Sequence, residues 1–335
     1  MKVFFYLPQG TIAKCFRPAD LARLAPVDEV VAPPCTDEQS LKAAYAQHAP
    51  QAEALVTGWG TPPLTVELLD AAPRLKVLVH SAGSIKALVP PSTWERGIRV
   101  GTTNEALGIG VAETTLGMMI AGLKGFFPAR LWTAAGNWHS QTLGSDHVAV
   151  REIFDVTIGL ISASKVGRHV MRLLRNFEVN VLVYDPYLTP AEAGQLGATL
   201  VTLDDLIRRS DVVSLHAPAM PATRHMLGRA QFRAMKDHAI FINTARGMIV
   251  DEAALIDELK TGRISAFIDV TDPEPPAKDH PFRSLPNVVL TPHLAGHVSN
   301  GCFRQGRSAV DQLIEFRQGR RMHGEVTPEM FAVMA

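Results

Sequence analysis

Three residues of complementary chemistry lie shortly after stretches that read as strands: Arg246 after 240–243, Glu274 after 264–269 and His293 after 288–291. Imidazole titrates nearest neutrality, so histidine is the side chain best suited to take a proton from a hydroxyl or return it. A carboxylate bonded to the second ring nitrogen fixes the tautomer and favours the protonated form. A planar guanidinium grips a carboxylate through two parallel hydrogen bonds, which lysine cannot do. Such a trio would move a proton on a small carboxylic acid held in register. The chain has twelve histidines, and His293 also reads as a polar loop residue after Pro292. What raises it above the others is its place at a strand's carboxyl edge, where open α/β sheets bind ligands.

A second candidate site lies upstream. Residues 157–168 run as a buried strand, a tight turn of small residues and a helix opening near Val166, the layout of a dinucleotide-binding turn. The next strand ends at Asp185, at the spacing where an acidic side chain accepts bonds from the adenosine ribose, and its charge would repel a 2′-phosphate. The glycine fingerprint is reduced to Ser162-Ala163-Ser164-Lys165-Val166-Gly167, in which only the packing glycine, Gly167, survives. Either phosphate sits further out, or the Ser164 hydroxyl donates to it, or the turn binds nothing.

These groups require a doubly wound scaffold. Strand-like runs at 3–7, 27–31, 54–57, 75–79 and 98–101, separated by Ala/Leu-rich segments, predict a first parallel sheet covered on both faces. A second series, at 156–161, 179–184, 212–216, 240–243, 264–269 and 288–291, predicts another. Between them Asn104 could cap a helical stretch over 111–126, apolar on more than one face and therefore expected to be covered by other structure or by a second subunit. A loop is expected at 136–147, and the tail over 301–320 is helical in pattern and could return to the first lobe.

Several blocks in order are similar to the D-isomer-specific 2-hydroxyacid dehydrogenases: Leu215-His216-Ala217-Pro218, the run from Phe241 to Gly247, Ile268-Asp269-Val270, Glu274-Pro275, and Thr291-Pro292-His293-Leu294-Ala295-Gly296. The resemblance implies an α/β fold of two Rossmann-like doubly wound domains. Residues 1–106 and 298–335 would form a flavodoxin-like substrate-binding domain, and 107–297 the NAD-binding domain. It implies hydride transfer between NAD and a small 2-hydroxy or 2-keto acid, with Arg246, Glu274 and His293 catalytic. Ser162, Ser164, Lys165, Val166, Gly167, Asp185, His216, Ala217, Pro218, Thr223, Thr244, Ala245, Arg246, Asp269, His293 and Gly296 would line the cofactor, and Ala82, Gly83, Ser84 and Arg246 the substrate. Asp269 reads equally as a loop cap. The loop at 79–86 departs from the family in lacking an arginine before its glycine, so a second negative charge on the substrate is not supported; His80 and Lys86 could substitute for it but read rather as solvated surface positions. Thr271 stands where the family often has phenylalanine, which would reshape the wall beside Glu274.

Composition narrows the alternatives. Lysine plus arginine and aspartate plus glutamate balance at 33 each, which offers no positive surplus for nucleic acid or anionic lipid. Three cysteines without CxxC spacing fit a reduced cytoplasm and no zinc or other metal site. The N-terminal apolar run ends at Pro8, too short for a signal peptide. The apolar stretch 108–127 carries Glu113 and Lys124 and reads as a buried helix rather than a membrane span. The expected assembly is a homodimer through this helix. The chief competing reading is an NAD(H)-sensing binding protein of the same fold without physiological turnover.

Overall fold

The computed structural model describes residues 1–25, 28–138, 150–296 and 298–334. Residue 27 of the predicted second strand, and the predicted loop from 139 onward, lie outside them. In chain order the strands are β1 (Lys2–Phe5), β2 (Glu29–Val31), β3 (Ala54–Thr57), β4 (Val77–His80), β5 (Arg99–Thr102), β6 (Thr157–Ile161), β7 (Asn180–Tyr184), β8 (Thr199–Leu200), β9 (Val212–Leu215), β10 (Ile240–Asn243), β11 (Ser265–Ile268), β12 (Val288–Leu290) and β13 (Glu325–Val326). The chain divides into two compact units, Met1–Gly108 with His297–Ala335, and Ile109–Gly296.

The first unit is built on a sheet ordered β13-β5-β4-β3-β1-β2. Its first five strands are parallel, and β13 pairs antiparallel with β5. Strands β3 and β4 are buried along their whole length, as expected where helices cover both faces of a parallel sheet. Helix Gly301–Arg317 packs here. A Cβ on Gly306 would stand 1.8 Å from the Cys15 carbonyl oxygen, so that glycine permits the close approach of Gln9–Cys15.

The second unit carries the order β12-β11-β10-β9-β6-β7-β8, all parallel. The order reverses at the neighbours β6 and β9, and the crevice outside the carboxyl ends at such a reversal is where dinucleotides bind. Strand β10 shows how the layers form. Phe241 packs in one core with Ile161, Leu215 and Ile268, while Ile240 and Ile242 point to the other with Ile158, Leu160 and Val170, as a period of two dictates.

One expectation about the long helix needs correction. The helix spans Asn104–Leu123, seven residues earlier than the predicted start, and in the orientation that satisfies both atoms the Asn104 amide donates to Ala82 O at 3.2 Å and Gly83 O at 2.7 Å. Within this chain Val111, Ala112, Thr115, Met118, Met119 and Leu123 are buried along one stripe while Glu113 and Gly117 are exposed. By length and composition it is long and apolar enough to cross a membrane, with 39% of its apolar window buried within the protein. The two-residue strands β8 and β13 were not predicted, because so short a run carries no periodicity.

Candidate active site

His293 follows β12 and Glu274 follows β11, and the two side chains meet: His293 Nδ1 and Glu274 Oε1 are 2.5 Å apart. Both are partly exposed, with side-chain accessibilities of 44% and 40%, so the pair is open to a ligand. His293 adopts φ 52°, a left-handed conformation that is costly for a side-chain-bearing residue and persists only where surroundings hold it. Asp269 does the holding. Its backbone oxygen accepts His293 N at 2.9 Å, Oδ1 accepts Thr291 Oγ1 at 2.5 Å and Leu294 N at 2.9 Å, and Oδ2 accepts Ala295 N at 3.0 Å. Of the two readings open for this buried aspartate, the loop cap is what its hydrogen bonds display.

Arg246 follows β10, with its guanidinium exposed and Nη1 donating to Ala245 O at 2.6 Å. Two residues outside the predicted site set its backbone. Asn243 ends the strand and closes the turn, accepting Ala245 N at 3.0 Å and donating to Arg246 O at 3.2 Å. Gly247 lies against the segment leading to Glu274, and a Cβ there would stand 2.1 Å from Thr271 C and 2.5 Å from Asp272 N. The turn bearing Arg246 and the loop bearing Glu274 are thus packed backbone to backbone. Asp272–Pro273 and Glu274–Pro275 are cis. Thr271, buried, donates to Pro273 O at 2.9 Å, which places the phenylalanine-to-threonine difference inside this loop. Asp269, Thr271, Glu274, Pro275, Leu290 and His293 are among the residues lining a cavity of about 470 Å³.

The turn after β6 keeps the form of the glycine fingerprint with only the last of its glycines, Gly167. Ser162 holds φ 81°, a region L-residues seldom visit. Its Oγ donates to Asp185 Oδ2 at 3.0 Å, Ala163 N donates to the same oxygen at 2.8 Å, and Tyr187 N reaches Oδ1 at 2.9 Å. Ser164 caps helix Lys165–Leu174 by accepting Gly167 N at 3.3 Å, which leaves its hydroxyl proton available to an anion. A Cβ on Gly167 would stand 2.2 Å from Ser162 O, so this glycine is required for the helix to close on the strand. Val166 is half-buried in the helix's first turn. A helix N-terminus behind a tight turn, with an acidic residue at the end of the next strand, is the donor and acceptor set that a dinucleotide's pyrophosphate and ribose need. The residues present fit the group.

The remaining cofactor candidates border the same carboxyl edge. His216 follows β9, and its backbone N bonds Ile161 O at 2.9 Å beside the turn. Its Nε2 lies 3.0 Å from Ser214 Oγ, and burial pushes its pKa down to about 3, so it stands neutral at pH 7. Ala217 is buried, and Pro218 O accepts Thr223 Oγ1 at 2.7 Å, closing that loop on itself. Thr244 Oγ1 meets Thr115 Oγ1 at 3.2 Å. A Cβ on Gly110 would stand 3.8 Å from Gly296 O, where the helix passes the His293 loop.

In the first unit, Ala82-Gly83-Ser84 follow β4, with the Ala82 and Gly83 carbonyls held by Asn104 as described. His80 is not solvated, as its sequence context led one to expect. It is buried, Nδ1 lies 3.0 Å from Thr57 Oγ1, and burial lowers its pKa to about 4. Lys86 is tethered at the surface, donating to Ala332 O at 3.1 Å. Among the described residues no group of acidic, histidine and cysteine side chains is arranged to hold a metal, and the three cysteines are buried and free of disulfides.

Residues 116–295 match the model of the NAD binding domain of the D-isomer specific 2-hydroxyacid dehydrogenases. The chain belongs to this family. NAD(H) is the cofactor that domain takes. The chain is 33% identical over 270 residues to a D-3-phosphoglycerate dehydrogenase of Methanocaldococcus jannaschii, covering 80% of this chain and 50% of that protein. It is 32% identical to a glyoxylate reductase of Korarchaeum cryptofilum, covering 82% of each. This chain therefore spans about half the length of the phosphoglycerate dehydrogenases it matches. Among solved structures, a phosphoglycerate oxidoreductase from Rhizobium etli superposes with a TM-score of 0.81 at 24% identity, covering 97% of this chain and 98% of that one, a likeness of fold.

Proposed function

We propose that the chain is an NAD-dependent D-2-hydroxyacid dehydrogenase or 2-keto acid reductase, acting on a small acid such as glyoxylate, hydroxypyruvate or a sugar-derived acid. The observation that carries this reading is the 2.5 Å contact between His293 Nδ1 and Glu274 Oε1. With Nδ1 engaged, Nε2 is the atom that exchanges a proton with the C2 oxygen. The carboxylate behind the ring stabilises the imidazolium, which reduction of a keto acid requires as its proton donor. Arg246 binds the acid's carboxylate and fixes C2. When bound, NADH supplies the hydride. Asp185, charged at the ribose position, favours NAD over NADP.

The reading extends to the surroundings of the chain. A homodimer would cover the exposed Phe126, Phe127 and Leu131 of helix Phe126–Ala134, which are 58%, 41% and 52% accessible. Three buried cysteines, none of them in a disulfide, are consistent with a reducing, cytoplasmic setting. The balanced charge supports neither nucleic acid nor a membrane surface as partner. The test is NADH oxidation against a panel of glyoxylate, hydroxypyruvate, pyruvate and 2-oxoglutarate, with NADPH in parallel. Turnover with NADH supports the reading; NADH binding without turnover on any of them favours a sensor.

A further inference from the structure

The loop that carries Glu274 is gripped at two points by one carboxylate. Glu252, the first residue of helix Glu252–Leu259, accepts Asp272 N at 2.8 Å through Oε1, and its Oε2 lies 3.3 Å from His280 Nε2. The second ring nitrogen, Nδ1, accepts Phe282 N at 3.3 Å. That bond puts the proton of a neutral imidazole on Nε2, where it donates to Glu252. The two side chains are 13% and 18% accessible, so the clamp is largely withdrawn from water. Glu274 lies between the clamped residues, two positions after Asp272. Arg283 closes the far side of the same loop, donating to Ala277 O at 2.9 Å and Pro276 O at 3.0 Å.

We propose that Glu252 is a positioning residue for the reaction: by holding Asp272 and His280 together it sets Glu274 against His293. The inference rests on the reading of Glu274 and His293 as the acid–base pair. The Glu252 carboxylate is engaged by Asp272 N and the His280 ring, so it acts through Glu274 rather than on substrate. The charged groups around the clamp are Asp272 on the loop, itself 3.8 Å from Arg224, together with Asp279 and Arg283 near His280. Burial raises the Glu252 pKa and lowers that of His280.

Glu252→Gln is the informative substitution because it keeps shape and removes one acceptor. A glutamine that still accepts Asp272 N turns its amide N–H bonds toward the Nε2–H of His280, donor against donor. Reversing the imidazole tautomer only moves the conflict to Phe282 N. The loop is then released at one end, and Glu274 loses its fixed separation from His293. In keto-acid reduction by the full chain with NADH, we expect kcat to fall on the order of ten- to a hundredfold, as for a misplacement of about 1 Å, with little change in keto-acid KM. Because a retreating carboxylate no longer stabilises the imidazolium that donates the proton, the alkaline limb of kcat/KM should move to lower pH. The His293 imidazole, followed by NMR in the protein without substrate and assigned by its loss in His293→Gln, should shift the same way. His280→Asn, which leaves the Asp272 contact intact, should give a smaller displacement in the same direction. A kcat, alkaline limb and His293 titration at wild-type values in both variants would overturn the proposal, as would a loss confined to thermal stability. If the wild-type chain turns over no 2-keto acid, the functional reading fails, while the NMR titration still decides whether Glu252 governs the pair.

Discussion

Gly247 offers a sharp test of how the site is assembled. An alanine there would place Cβ 2.1 Å from Thr271 C, 2.4 Å from Thr271 O and 2.5 Å from Asp272 N. All three are backbone atoms, so no side-chain rotation relieves the clash. To reach ordinary contact the Arg246 turn and the Glu274 loop must part by more than 1 Å. Overpacking of this kind costs about 1–3 kcal/mol, and in a unit of this size each kcal/mol lowers Tm by roughly 2–4 °C. The catalytic effect should be larger than the loss of stability. A shift of more than 1 Å carried from Asp272 to Glu274 would take its 2.5 Å contact with His293 beyond hydrogen-bonding range. A displacement of Arg246 instead would misalign the substrate. Either route costs on the order of a hundredfold in kcat/KM. The assay is glyoxylate or hydroxypyruvate reduction with NADH, run beside thermal denaturation and NADH fluorescence titration. A Gly247→Ala protein that keeps wild-type kcat/KM and Tm would refute the claim that this backbone contact sets both catalytic groups.

Other perturbations separate the remaining parts. Arg246→Lys should raise the keto-acid KM on the order of tenfold or more while NADH affinity holds, since an ammonium cannot replace the paired contacts of a guanidinium; fluorescence titration and initial rates check it. Ser164→Gly should cost only a few tenths of a kcal/mol as a cap and tighten NADH binding by letting the backbone approach the pyrophosphate. Weaker binding would instead assign the Ser164 hydroxyl to the phosphate. His80 and His216, with pKa values lowered to about 4 and about 3, bind fewer protons folded than unfolded. Their contribution to stability is therefore complete above the unfolded value of about 6.5 and is lost as pH falls toward the folded values. Urea midpoints should fall from pH 7 to pH 5, less steeply in His216→Asn.

How legible the site was depended on the kind of force that places each residue. Strands β3 and β10 were bounded correctly because they are short apolar runs buried on both faces, and burial is written in residue type. Glu274 and His293 were singled out by the resemblance of Glu274-Pro275 and Thr291-Pro292-His293 to the family's blocks, and the fold brings their side chains together. Gly247 was quoted within its motif but its role was not visible: its requirement comes from Thr271 and Asp272, more than twenty positions away. Glu252 looked like an ordinary acidic residue in a helix's first turn, which is where the helix dipole favours one; its partners become apparent only when the loop folds over it. Ser162 was counted as a lost glycine, yet its φ of 81° shows the turn surviving the substitution, held by the bond to Asp185. Asn104 begins the long helix, and its amide also donates to the Ala82 and Gly83 carbonyls, contacts that no local pattern announces.

The central claim is that His293, paired with Glu274, delivers the proton in an NAD-dependent reaction of a 2-keto acid. The most direct measurement compares wild type with His293→Gln, reading NADH oxidation in the presence of the best keto acid and NADH affinity on the same samples. The account predicts that turnover falls by about 10²–10⁴-fold while NADH binds as before. Turnover in His293→Gln equal to that of wild type would contradict it.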